Sequence, residues 1–301
     1  MTITTLPKLN YADWVDTRDT LHLMLQIIGK IRMSAHPKLY HWWHVTLYPD
    51  VRGLSTGRIP YRDSGFDIHF DLLDHRVSIT RNDGQYRSFD PAGLSIADFY
   101  WQLFDALDAL DIAVDIYPVP FDNKSTVPFD QDNAERAYDR EAVHQYWSVL
   151  CAISGVFEQY RAGFLGKQTP VHLFWHSFDL AVTRFSGRAH PLETERQSDR
   201  EAYSHEVISI GFWPGDDTFP EAAFYGYAYP DPAGLADTTL APSTAQWVDQ
   251  NGSAMAILRY DDWRTSTQPD HDLLAFLQSV YANSAELAEW PVNELAHTTH
   301  S

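Results

Sequence analysis

Apolar side chains recur with a helical period in four stretches of this chain and with a period of two between them. Over about 17–33, Leu21, Met24, Leu25, Ile28 and Ile31 fall on one side of a helix. Gly29 interrupts that helix, at a cost of about 1 kcal/mol relative to Ala in a helix interior. Ile96, Phe99, Tyr100, Leu103, Phe104 and Leu107 form a second stripe over about 95–110, opened by Ser95 and Asp98 at the spacing of a capping box with Asp in place of Glu. Val143, Tyr146, Trp147, Leu150, Ile153, Phe157 and Tyr160 mark a third helix over about 140–163. Leu273, Leu274, Leu277, Val280, Tyr281 and Leu287 mark a fourth over about 270–289.

Between the helices the period shortens. Phe66, Ile68, Phe70 and Leu72 alternate with Asp67, His69 and Asp71, the pattern of a strand with one wet face. Val77 and Ile79 continue it, and Asn82-Asp83-Gly84 predicts a tight turn into 85–89. Further strands are expected at 171–176, 183–185, 206–212, 224–229 and 254–258, while 118–136, 189–203 and 230–252 have the composition of loops or linkers. The order helix, strands, helix occurs twice, and Trp43-His44 followed by Arg58 is echoed by Trp175-His176 followed by Arg188. The expected architecture is therefore α+β: two related halves, 1–120 and 137–301, joined by a linker at 121–136. Each half is an antiparallel sheet covered by helices, the two related by a pseudo-two-fold axis.

Charge narrows the range of partners. Among 301 residues, 41 Asp+Glu outnumber 22 Lys+Arg, for a formal net charge of −19. Such a chain repels a phosphate backbone and an anionic membrane surface, so neither nucleic acid nor membrane is an expected partner. The single cysteine, Cys151, cannot form an intrachain disulfide or a multi-cysteine metal site, and its place in an apolar helix marks it as a core residue rather than a nucleophile. The first residues show no basic segment leading an apolar stretch, which makes the cytoplasm the expected location.

Two motif fragments fail on context. Gly53-Leu54-Ser55-Thr56-Gly57 has the serine-hydrolase spacing, but Pro60 follows too soon for the helix that such an elbow requires. His205-Glu206 opens like a zinc-protease motif, yet Ser209 stands where the second His belongs. What remains is a set of polar residues inside apolar strand sequences of the second half: His176, Asp179, Arg184, Arg188, His205 and Glu206, with Trp175 and Trp213 nearby. Each needs a partner or a ligand if buried. Tyr225, Tyr227 and Tyr229 alternate on one strand face, as sheet packing or as a stacking surface for a sugar or planar ring.

The runs Thr20-Leu21-His22-Leu23, Gly29-Lys30-Ile31-Arg32, His41-Trp42-Trp43 and Arg52-Gly53-Leu54, the long run Pro170 to Arg188, Tyr203-Ser204-His205-Glu206-Val207, Gly211-Phe212-Trp213-Pro214-Gly215 and Ala228-Tyr229-Pro230 resemble a bacterial family of about this length catalogued only as a domain of unknown function. The resemblance spans nearly the whole chain and implies one family-wide unit. It implies no activity.

Function is thus expected from side-chain chemistry alone. One expectation is a small-molecule enzyme in which His176 or His205 acts as general acid or base, Glu206 or Asp179 orients it, Arg184 and Arg188 hold an anionic group, and Trp175 and Trp213 exclude water. The alternatives are a non-catalytic module that binds a sugar or metabolite, and a protein-interaction module. No cofactor is expected; a divalent metal bound by His and carboxylates from different strands has no support from spacing. His44 and Arg58 are the corresponding candidates in the first half.

Overall fold

In the computed structural model, which describes residues 6–296, the longest helix is buried throughout its middle. This helix, α1 (Tyr11–Ala35), has every residue from 17 to 32 buried. The side bearing Leu21, Met24, Leu25, Ile28 and Ile31 is apolar as expected, but Arg18, Asp19, His22, Gln26, Lys30 and Arg32 are buried too. Buried polar groups need partners, and a loop supplies them for Asp19, His22, Gln26 and Lys30.

Residues 112–128 contain neither helix nor strand and run antiparallel to α1 as a strap. Ser34 Oγ donates to the Asp115 carbonyl at 2.7 Å, and Lys30 Nζ to that of Tyr117 at 3.1 Å. Gln26 Nε2 donates to the Phe121 carbonyl, and Gln26 Oε1 accepts from the Phe121 N–H, both at 2.8 Å. Asn123 Nδ2 lies 3.4 Å from His22 Nδ1, and Lys124 Nζ pairs with Asp19 Oδ2 at 2.6 Å. Residues 22, 26, 30 and 34 share one helix face because a step of four is close to one turn, about 6 Å of rise. An extended chain laid along that face meets a polar group at each step. The segment 121–136, expected as a linker, begins inside this strap.

The chain divides into two compact units, one formed by Ala12–Ser148 and Leu173–Phe178, the other by the residues up to Tyr11, Val149–His172 and the chain from Asp179 on. In the first unit, β1 (Tyr48–Pro49), β2 (Gly53–Ser55), β3 (Ile59–Tyr61), β4 (Ser64–Asp71), β5 (Arg76–Arg81) and β6 (Tyr86–Phe89) form an antiparallel sheet of order β1-β2-β4-β5-β6, with β3 also paired to β4. Phe66, Ile68 and Phe70 point to the buried face of β4, as the alternation predicts. Helix α2 (Ile96–Asp108) brings Phe99 against Phe70 and Phe89, and Ser95 caps it by accepting from the Asp98 N–H at 3.0 Å. The Gly53–Gly57 segment is strand β2 and its continuation, with no helix after it.

Helix α3 (Arg140–Ala162) has residues in both units. Its buried stripe includes Trp147, Leu150, Ile153 and Phe157, but Cys151 faces outward, so the expectation of a core cysteine is corrected. Position 151 is one step, about 100°, beyond Leu150 and leaves the stripe. Strand β7 (His172–Phe174) is shorter than expected because the chain turns at 175–178, with Phe178 at φ 62°.

In the second unit, β8 (Asp179–Ala189), α4 (Gln197–Ala202), β9 (His205–Trp213), β10 (Ala223–Tyr229), β11 (Gln246–Gln250), β12 (Ser253–Arg259), α5 (Tyr260–Arg264), α6 (Pro269–Leu287) and α7 (Val292–Leu295) follow in order. The strands run β11-β12-β10-β9-β8, all antiparallel. Helix α6 packs on one face, where Gly226 makes room for Val280. Phe212 and Phe224 meet Tyr260 and Trp263 of α5 on that same face. The expected loops 189–203 and 230–252 thus contain α4 and β11. The two sheets differ in strand order, and Arg58 precedes a three-residue strand whereas Arg188 lies within an eleven-residue one; the expected duplication is not evident in them.

Candidate functional site

Strand register gathers a group of hydroxyls on the face of the second sheet opposite α6. Thr183 on β8 is level with Ser209 on β9, and Ser209 with Tyr227 on β10. In the next row Ala181 is level with Gly211, and Gly211 with Tyr225. Gly211 has no side chain, so the Tyr225 ring lies across it; a Cβ there would collide with the phenol. Reaching over Gly211, the Tyr225 hydroxyl donates to Asp179 Oδ2 on β8. Thr183 Oγ1 and Ser209 Oγ are 2.9 Å apart, as are the hydroxyls of Tyr227 and Tyr203.

The Tyr225 and Tyr227 rings stack with centroids 6.2 Å apart at 15°. Tyr229 continues the row, edge-on to Tyr203 and His190 at 5.3 and 5.6 Å. The four tyrosines are partly exposed, while Asp179, Thr183 and Ser209 beside them are buried. Burial raises the Tyr225 and Tyr227 phenols well above the usual tyrosine range, reinforced by the Asp179 carboxylate for Tyr225 and by Tyr203 for Tyr227. Burial also raises Tyr203. All three are therefore neutral hydroxyls at physiological pH, able to donate one hydrogen bond and to accept others.

The tyrosine row expected from the sequence forms this constellation, and of the polar candidates His176, Asp179, Arg184, Arg188, His205 and Glu206 only Asp179 joins it. Arg184 is five positions along β8 and points to the other face. Its guanidinium lies 3.5, 4.7 and 4.4 Å from the ring centroids of Tyr160, Phe164 and Tyr281 and donates to the Tyr160 carbonyl, and burial lowers its pKa. Arg188 pairs with Glu206 at 2.7 Å and also donates to the Ala288 and Glu289 carbonyls just past the C-terminus of α6. His205 Nδ1 lies 3.0 Å from Ser204 Oγ, and Trp213 stacks on Phe219 with centroids 5.9 Å apart.

Trp175 and His176 belong to the first unit. His22 Nε2 is 3.0 and 3.1 Å from their main-chain carbonyls, which assigns its proton to Nε2 and leaves Nδ1 as the acceptor facing Asn123. Burial, reinforced by Arg18, pushes the His22 pKa down to about 4. His44 Nδ1 accepts from the Leu39 N–H at 3.3 Å, and Arg58 donates to the Ser64 carbonyl at 3.0 Å. No group of three or more His, Cys, Asp or Glu that could hold a metal occurs among the described residues.

Sequence reasoning missed Thr183, Ser209 and Tyr203 as partners of the tyrosines, since only register brings them together. It also missed the ladder on α1, although His22, Gln26 and Lys30 stand in plain i, i+4 spacing.

The fold defines a two-unit α+β protein with a hydroxyl-rich sheet face. The chain belongs to a family of unknown function, DUF5996, whose model matches residues 6–297. No curated protein and no solved structure matches it. No helix among the described residues is long and apolar enough to cross a membrane.

Proposed function

We propose that the chain is a non-catalytic binding module whose tyrosine face takes a small, neutral, polyhydroxylated ligand such as a sugar. The carrying observation is the stacked Tyr225 and Tyr227 pair, partly exposed, above the Asp179, Thr183, Ser209 and Tyr203 hydroxyl-bonding groups. Aromatic faces bind the C–H surface of a sugar ring, and nearby hydroxyls and a carboxylate exchange hydrogen bonds with its OH groups. General acid–base work favours a group titrating near the operating pH, and the raised phenols of Tyr203, Tyr225 and Tyr227 do not. Arg184 and Arg188, the residues an anionic substrate would need, are engaged with aromatic rings, carbonyls and Glu206. The acidic charge favours a ligand other than nucleic acid, and the single cysteine suits a cytoplasmic location.

Calorimetric titration with a panel of monosaccharides and linear polyols tests this. At least one should bind saturably, and Tyr225→Phe or Tyr227→Phe should weaken it by roughly three- to tenfold, the worth of one hydrogen bond. A panel without a binder, or Phe variants that bind as tightly as wild type, would overturn the proposal.

A further inference from the structure

Lys30 is a buried cation with few partners. The residue is 4% exposed, and its ammonium makes one hydrogen bond, to the Tyr117 carbonyl of the strap. No carboxylate among the described residues pairs with it, and burial lowers its pKa. The rings of Tyr117, Phe129 and Trp175 surround Nζ with centroids at 5.7, 5.8 and 5.9 Å, near the outer limit of about 6 Å for cation–π attraction. Other buried cations of the chain are held more fully. Arg32 donates to the Thr56 carbonyl and the Tyr48 hydroxyl, and Arg184 lies 3.5 Å from a ring centroid.

Trp175 adds a second donor. It is 4% exposed, and its indole N–H has no hydrogen-bond partner among the described residues. Its ring lies so close to α1 that only glycine fits at position 29. The indole that carries this unpartnered N–H is thus one of the three rings around an ammonium that has a single acceptor.

We propose that Lys30 and Trp175 form a ligand site, separate from the tyrosine face, that binds a small aromatic carboxylate beneath the strap. The carboxylate replaces the Tyr117 carbonyl on Lys30 Nζ and accepts from the Trp175 N–H, while the ring of the ligand packs among Phe129, Trp175 and Tyr117. Tyr117 is suited to move, being 74% exposed in a segment without regular structure. The paired bonds between Gln26 and Phe121 hold the strap as its Tyr117 end lifts.

Benzoate and phenylacetate are the probes, titrated at constant ionic strength beside acetate, which lacks the ring, and benzyl alcohol, which lacks the charge. The aromatic carboxylates should bind saturably and at least about tenfold more tightly than either control. Lys30→Gln should abolish that preference, Tyr225→Phe should leave it unchanged, and amide exchange at 115–119 should quicken on binding. Two further variants separate binding from folding. Lys30→Arg keeps the charge and should retain binding, and Trp175→Phe keeps a ring but removes the donor and should weaken it. Absence of saturable binding by wild type, equal binding of the controls, or unchanged affinity in both Lys30→Gln and Trp175→Phe overturns the proposal.

Discussion

The Gln26 amide and the main-chain N–H and carbonyl of Phe121 close a two-bond ring, each residue donating once and accepting once at 2.8 Å. Gln26 is fully buried, so neither water nor another side chain readily takes over if it is lost. A loop without helix or strand is thereby joined to the central helix of its unit as one strand is joined to another.

Gln26→Ala should cost about 2 kcal/mol, because it removes two hydrogen bonds and strands the Phe121 N–H and carbonyl. Hydrogen exchange should quicken across 115–124 before the sheets respond. Urea denaturation with exchange mass spectrometry checks both, and uniform quickening over the whole chain would show that the strap does not open on its own.

Gly29→Ala should destabilise the protein, although Ala favours a helix by about 1 kcal/mol over Gly. The new Cβ would meet the Trp175 indole, and overpacking of this kind costs about 1–3 kcal/mol. A raised melting temperature in this variant would contradict the close approach of Trp175 to α1.

His22 makes stability fall in mild acid. Its folded pKa of about 4 lies below the ordinary value of 6.5. The unfolded chain therefore binds this proton first as pH drops, and the His22 contribution is intact above 6.5, declines between 6.5 and 4, and is fully lost below 4. The loss amounts to roughly 3 kcal/mol. Comparing the pH dependence of unfolding in wild type and His22→Asn isolates this contribution from those of the carboxylates. Parallel profiles between pH 6.5 and 4 would rule it out.

Arg188 should matter more to stability than its ion-pair partner. An exposed pair is worth about 0–1 kcal/mol, so Glu206→Gln should change little. Arg188→Gln should cost about 1–2 kcal/mol, since it also frees the Ala288 and Glu289 carbonyls past the C-terminus of α6, where a cation is favoured. Equal losses in the two variants would show that the pair alone accounts for Arg188.

Phe157→Ala should cost about 3–5 kcal/mol, the usual consequence of emptying a fully buried aromatic site. A variant that unfolds at the wild-type denaturant concentration would mean that the α3 stripe is not core.

Periodicity determined much of this protein without help. The four amphipathic helices, the Ser95 cap, the β4 alternation and the Tyr225-Tyr227-Tyr229 row are local, because a period of 3.6 or 2 and a capping side chain act within one element. The fate of polar residues was not local. Arg184 could have joined Asp179, but strand alternation sends them to opposite faces, and three rings brought from α3, its following loop and α6 enclose the guanidinium. Trp175 explains Gly29, and Phe121 explains Gln26, across 146 and 95 positions of chain. Local periodicity marked the long helices and the main strands but left α4 and β11 within expected loops. Which buried polar groups meet was settled on folding, because a hydrogen bond or ring contact between distant segments depends on register and strap position, which leave no period in the chain.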